Sequence, residues 1–342
     1  MPPNSVTRKS GREHRLIRTR AALMLAIVAI GSAISLGAAG MDESVLTELV
    51  RLEKETGLAI AFYDNELGVI SFKKRASYDM GKLVPMGNSG GTVSPDGAEV
   101  AVDSLNWGPG YRDHTMSLDI VGTDGSALRE HREVRGGIAC WSHDKSKLAM
   151  VLVEPPDVRL GILDLATKKM QTLEPRTTDR DSRFTSQCWS PNGKELVFEA
   201  NGNVQVYEIE TGHSRILAPG TEPTWSPDGT WIAYRDKQHS DYYVIHPSGD
   251  GRKRLFHKGR AVSPLYWSPD GRFVAYTHED FFALDVEFYH LMVRRLQDNS
   301  ETWVADGVAC CIGYQWVRNP ELLKQLKPRL RLSGRRGPPK AG

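Results

Sequence analysis

One short phrase returns along this chain at near-regular intervals. It reads VSPDG at 93–97, WSHDK at 141–145, WSPNG at 189–193 and WSPDG at both 225–229 and 267–271, with a worn copy, WVRNP, at 316–320. The anchors Val93, Trp141, Trp189, Trp225, Trp267 and Trp316 are 48, 48, 36, 42 and 49 residues apart. Self-similarity at such a period marks a repeat architecture, and this spacing matches one four-stranded propeller blade.

The phrase explains how a blade starts. An apolar strand ends in a large aromatic. Pro presets φ and Gly accepts φ > 0, so Ser-Pro-Asp-Gly reverses the chain. A second strand runs back at 99–102, 147–151, 195–198, 231–234 and 273–276, rich in residues suited to a half-buried sheet. Third strands are expected at 117–121, 160–165, 204–209, 242–246 and 287–293, and fourth strands near 170–173, 214–217 and 252–256. The recurring Trp reads as core between blades. Closing the ring needs both chain ends: 58–63, 68–72 and 82–85 fit the second, third and fourth strands of a blade whose first strand ends at Trp316. Pairing the termini removes free edges. The predicted fold is all-β, a six-bladed β-propeller at 58–321. A short helix or linker at 41–57 precedes it, a signal or anchor segment occupies 1–40, and a basic tail follows at 322–342.

The WSPDG-x-x-(I/V)-A-(Y/F) phrase resembles the repeats of the TolB-like β-propellers, which also occur in the propeller domains of prolyl-oligopeptidase-type peptidases. The resemblance covers roughly residues 58–316. It implies the fold and not a function. The peptidases carry a separate hydrolase domain and TolB an N-terminal α/β domain. Neither has a counterpart between residue 41 and the first strand or after Trp316.

Charge divides the chain. Residues 1–20 hold six Lys/Arg and one acid, and 322–342 hold seven Lys/Arg and no acid. The interval 41–321 has 31 basic and 41 acidic residues, a net of −10. That acidic body argues against nucleic acid as a partner, because phosphate contacts need clustered Lys/Arg. Arg8 to Arg20 form a basic n-region before an uncharged run at 21–41, an export pattern. The segment ends small, as a cleavage site does, yet the full run is also long enough to span a bilayer. Cleaved signal and uncleaved anchor both stay open, with residues 21–40 as the membrane contact in the second case. Both place the body in the periplasm or outside the cell. Of four cysteines, Cys140 and Cys188 occupy equivalent places in adjacent blades. Such points are expected ~8 Å or more apart, too far to bridge, so both read as small buried apolar residues. Cys310 and Cys311 are adjacent in sequence, and no bridge is expected there either.

No catalytic constellation stands out. Gly87-Asn88-Ser89-Gly90-Gly91 matches G-x-S-x-G but runs into a strand without the helix a nucleophile elbow needs. The histidines show no H-E-x-x-H or other ligand spacing. No catalytic residue, metal site or cofactor is expected. What remains is a scaffold whose long loops, at 103–115, 154–157, 174–183, 236–240 and 278–285, fall on the face opposite the SPDG turns. Long loops on a rigid scaffold are where binding usually sits. Trp107, Tyr111, Arg112, Phe281 and Phe282 are the expected partner-binding residues, since aromatics with Arg make hot spots. The expected function is a non-catalytic, exported module that binds a protein or peptide through this face and the central funnel. A propeller enzyme, a carbohydrate lyase or hydrolase with its site at the channel mouth, is the alternative.

Overall fold

The computed structural model describes residues 42–324 apart from 65, 82–88, 107–114, 125, 127–129, 135, 155–156, 174–187, 239–240, 258–260, 262, 283–285, 307 and 309–312. The chain is mostly β, with a helix at each end of the described region. All of its strand pairs are antiparallel. The first anchored ladder runs Ser89–Val93, Glu99–Asn106, Thr115–Gly122, Glu130–Val134. The second runs Gly136–Trp141, Lys147–Glu154, Asp157–Asp164, Met170–Thr172. In the third, the Trp189↔Leu196 bridge stands for the first strand, before Glu195–Ala200, Asn203–Glu208 and the first half of Ser214–Trp225. The second half of that long strand opens the fourth ladder, which continues through Ile232–Asp236, Tyr242–Ile245 and Lys253–Phe256. The fifth runs Tyr266–Trp267, Phe273–Phe282, Val286–Arg295, Glu301–Asp306.

The two chain ends meet as expected. Tyr314–Arg318 pairs with Leu58–Asp64 in a register that sets Trp316 opposite Ile60. Glu66–Ser71 and Ala76–Gly81 complete this closing ladder. The expected strand at 82–85 lies outside the described residues; the ladder's fourth described strand is Ala76–Gly81. The turn before it, Phe72-Lys73-Lys74-Arg75, has no Gly or Pro to announce it. Arg75 takes φ 48° and its N–H returns to the Phe72 carbonyl at 3.2 Å.

The SPDG turns share one set of hydrogen bonds. In each, the serine Oγ donates to the Asp or Asn Oδ1 two residues on, at 2.6–2.8 Å in Ser94–Asp96, Ser142–Asp144, Ser190–Asn192, Ser226–Asp228 and Ser268–Asp270. The same Oδ1 accepts the N–H two residues further on, and the serine Oγ accepts the N–H that starts the second strand. The second copy has Lys145 where the others have Gly, at φ 59°. A left-handed non-Gly residue costs ~1–2 kcal/mol, and Lys145 offsets part of this by pairing with Asp96 of the preceding turn.

The tryptophans join one ladder to the next. Trp141 Nε1 donates to the Thr92 carbonyl at 3.0 Å, Trp189 Nε1 to Cys140 at 3.0 Å and Trp316 Nε1 to Tyr266 at 2.9 Å. Trp267 Nε1 donates to Thr224 Oγ1 at 3.2 Å. Each acceptor immediately precedes the anchor of the ladder before. By that pattern Trp225 would use the Cys188 carbonyl, which accepts the Val197 N–H at 2.8 Å, yet the Trp225 indole N–H has no partner among the described residues.

Cys140 and Cys188 form a disulfide, which corrects the expectation of two separate thiols. Their Cα atoms are 6.3 Å apart, inside bridging range. The ring is tighter at its innermost strands than a uniform spacing implies, because Trp189 Nε1 and the Cys188 N–H both bond to Cys140, the latter to Sγ at 3.1 Å. Cys310 and Cys311 lie outside the described residues, as does the segment 1–40.

Helices secure both ends. Asp42 caps Glu43–Thr56 by accepting from the Ser44 N–H at 2.8 Å. Val45 and Leu49 bury completely among Phe72, Phe273 and Trp316, over the seam between the fifth and closing ladders. Glu48 pairs with Arg272 and Arg295 of the fifth ladder. Pro320–Lys324 inserts Leu322 between the closing and first ladders.

Two predictions follow from the seams and the turns. Trp189→Phe keeps the ring but removes the indole bond to the Cys140 carbonyl, at ~0.5–1.5 kcal/mol; Trp225→Phe loses no hydrogen bond among the described residues. Chemical denaturation should show the first variant clearly less stable than the second, and equal losses would contradict the stitching role. For the turns, the Ser142 hydroxyl and the Ser146 N–H hold the Asp144 carboxyl down from 3.8 to about 2. Its folded value is depressed, so its contribution is complete above the ordinary carboxylate value and is lost as pH falls through about 2. Asp144→Asn should flatten the fall in melting temperature over that window without unfolding the protein, because Asn192 already holds the same turn.

Candidate functional site at the loop face

Of the residues expected to bind a partner, Trp107, Tyr111 and Arg112 lie outside the described residues. Phe281 and Phe282 are the last two residues of Phe273–Phe282, opposite Glu287 and Val286. The irregular loop expected over 278–285 is thus regular ladder as far as Phe282. Likewise Glu99–Asn106 stays paired to Thr115, so 103–106 is strand. Both hairpins join second to third strands, which places their tips at the end of the ladders away from the SPDG turns.

At that same end the described residues assemble a charged group where the innermost strand of the fourth ladder begins. The local sequence is Gly220-Thr221-Glu222-Pro223. Gly220 is required, since a Cβ there would sit 2.5 Å from the Tyr234 ring and 2.7 Å from the Arg235 carbonyl. Pro223 has no N–H to give the ladder, and the register shifts between Thr221 and Thr224. Glu222 stands in this bulge at φ 56°. Such a conformation costs ~1–3 kcal/mol and persists only where surroundings enforce it. Here the Glu222 N–H donates to Glu199 Oε2 at 3.3 Å, Arg235 Nη2 meets Glu222 Oε1 at 3.2 Å, and Arg235 Nε donates to Thr221 Oγ1 at 3.3 Å.

Neighbouring groups are fixed around this cluster. Tyr242 donates its hydroxyl to the Ser263 carbonyl, and Ser263 Oγ accepts the Thr277 N–H at 2.8 Å. Burial, reinforced by the Glu222 charge, holds the Tyr242 phenol well above its usual range, so it stays neutral. Buried Asp241 meets His257 Nδ1 at 2.6 Å and Arg254 Nη1 at 3.5 Å, both on exposed side chains. Asp236 pairs with Arg252 at 2.7 Å. The result is a row of alternating carboxylates and cations across the loop-face end of the fourth ladder, able to orient a polar chain by charge-assisted hydrogen bonds. Among the described residues no three His, Cys, Asp or Glu side chains gather as a metal site would require.

Glu199, Glu222 and Arg235 were not singled out in the sequence, though a signal existed. Glu199 and Arg235 hold the same position in successive second strands, LVFEA and IAYRD, where an apolar run ends in a charge. Glu222 lies between a Gly and a Pro just before an anchor Trp.

No family model matches the chain. Among solved structures it is similar to TolB from Acinetobacter baumannii, at TM-score 0.53 and 14% identity over 72% of this chain and 66% of that one. It is similar to a protein described as TolB from Agrobacterium tumefaciens, at TM-score 0.53 and 16% identity over 77% and 92%. An oligogalacturonate lyase from Vibrio parahaemolyticus aligns at TM-score 0.49 and 14% identity over 74% and 80%. The chain thus spans just under two thirds of the Acinetobacter protein and nearly all of the Agrobacterium one. Its fold is that of a TolB-like β-propeller.

Proposed function

We propose that the chain is an exported, six-bladed β-propeller that binds a protein or peptide partner through its long-loop face and central funnel, without chemistry of its own. Five anchored ladders and one joined from the two termini support the count of six. The observation that carries the binding role is the Glu222 cluster: a strained backbone held by Glu199 and Arg235 at the loop-face end of the innermost strand of the fourth ladder. Strain kept in place at a rim of partly exposed charges suits recognition of a polar chain. Trp107, Tyr111, Arg112, Phe281 and Phe282 belong to the same reading as the apolar part of the surface. The propeller would occupy 58–321, with 1–40 as signal or anchor, 41–57 as the helix-bearing lead and 322–342 as a basic tail. The net charge of −10 over 41–321 speaks for a protein partner and against nucleic acid.

The test is Trp107→Ala/Phe282→Ala. Truncating a hot spot costs ~2 kcal/mol or more in binding, so captured partners should be lost while the melting temperature holds. A markedly lower melting temperature would make these aromatics core, and undiminished capture would put the binding face elsewhere. Release of unsaturated sugar from an oligogalacturonate would replace this reading with a lyase.

Export is supported by the basic and apolar leader and by the Cys140–Cys188 disulfide, since such bonds persist in oxidising compartments. Among the described residues no helix is long and apolar enough to cross a membrane, and residues 21–40 are not among them. The native protein should begin near Gly40 or Met41 if its leader is cleaved, or resist alkaline extraction if it is an anchor. An intact N-terminus in the cytosol would exclude export.

A further inference from the structure

The seams between ladders are closed in different ways on the SPDG-turn face. The N-terminal helix covers the seam from the fifth ladder to the closing one, and Leu322 fills the next. The seam between the third and fourth ladders is crossed by Arg215. It pairs with Glu195 at 2.7 Å in its own ladder and donates from Nε and Nη2 to the Pro247 carbonyl of the next, at 3.1 and 2.9 Å.

Among the described residues the following seam, between the fourth and fifth ladders, has no equivalent arginine crossing. The residues equivalent to Glu195 and Arg215 are Trp231 and Lys253. Trp231, like Glu195, starts its second strand five residues after the turn serine. Lys253 pairs with Val244 as Arg215 pairs with Val206. Replacing the carboxylate by an indole changes where the cation goes. Lys253 Nζ lies 4.1 Å from the centre of the Trp231 ring and stays on its own ladder, while His246 stacks on that ring at 3.9 Å. A cavity of about 480 Å³ remains at the seam, with Leu255 and Trp267 as apolar wall, Trp231 and its covering Lys253 beside them, and Asp228 and Asp270 at the turns. Asp270 already shares its carboxylate with Arg272 at 2.8 Å. Asp228 is exposed and makes no ion pair among the described residues.

We infer that this cavity is a second binding site, and that it takes an arginine side chain from a peptide segment of a partner. The incoming stem would lie against Leu255 and Trp267, and its guanidinium would reach Asp228, as Arg215 does for Glu195 one seam earlier. The volume lies within the range of small-ligand pockets. Asp228 Oδ1 is taken by the Ser226 hydroxyl and the Thr230 N–H, so the guanidinium would meet the exposed carboxylate at Oδ2 in a charge-assisted hydrogen bond.

The experiment titrates the full chain with acetyl-Leu-Arg-Leu-amide and with its citrulline analogue, which has the same shape without the charge, by isothermal calorimetry. The arginine peptide should bind at least tenfold more tightly than the citrulline peptide. Asp228→Asn should weaken it at least fivefold at an unchanged melting temperature, because Asn192 shows that an amide keeps the turn. Trp107→Ala/Phe282→Ala should leave it unaffected. Equal affinity for the two peptides, no binding at millimolar concentration or indifference to Asp228→Asn would overturn the inference, as would loss of binding in the loop-face variant. Neutralising Arg329, Arg331, Arg335 and Arg336 to Gln should change nothing. Tighter peptide binding in that variant would make the chain's own tail the occupant, and the assignment to a partner would fall.

Discussion

The fold depends on one repeated contact, an indole N–H from one ladder to the residue just before the anchor of the ladder behind it. A four-stranded sheet has two apolar faces and cannot bury both alone. Stacking sheets buries them, but apolar area is non-directional and does not fix how far one sheet slides past the next. The Trp141, Trp189, Trp267 and Trp316 bonds supply that register at the innermost strands. The rings themselves fill the seams. Where the same contact is present, the neighbouring backbones come close enough for Cys140 and Cys188 to bridge. The disulfide adds a covalent link to a seam that the indole contact also closes.

The turns follow the same economy. Ser-x-Asp-Gly satisfies its own polar atoms: the serine and the carboxylate each accept one N–H of the reversal, and the serine donates to the carboxylate. A turn that closes internally can be repeated without regard to its neighbours, which leaves the packing to the Trp. Asn192 in the third copy does the same work without charge. The requirement is an acceptor at this position, and ionisation adds a dependence on pH.

What the sequence reveals and what it hides divide along this line. The anchors, the second strands and the pairing of Trp316 with the 58–63 strand were legible because they rest on local chemistry and on the need to remove free edges. The strand Ala76–Gly81 of the closing ladder was missed because the turn at Phe72–Arg75 uses a strained Arg in place of Gly. The disulfide was missed because a uniform ring overestimates the spacing of inner strands. Glu222 was missed for a different reason. Its importance lies in a backbone conformation and in partners from two other strands, 23 and 13 residues away in the chain, and no local pattern encodes that. The aromatics at 107 and 111 were chosen by loop position alone, and their role rests on the binding test.

The departures from the repeat are not scattered. Glu222 in its bulge, Trp225 with an unpaired indole N–H, and Trp231 with Lys253 in place of an ion pair all belong to the fourth ladder. Of these, Trp225 lacks the indole contact that the other anchors make, and Trp231 with Lys253 does not repeat the pair of the third ladder. A propeller held by several equivalent seams can spare one, provided the others and the disulfide keep the circle closed. Residues released from that duty are free to meet something else. In this chain they stand at both ends of one ladder, with the charged row on the loop face and the open seam on the turn face. The same relaxation of the repeat therefore underlies both proposed sites.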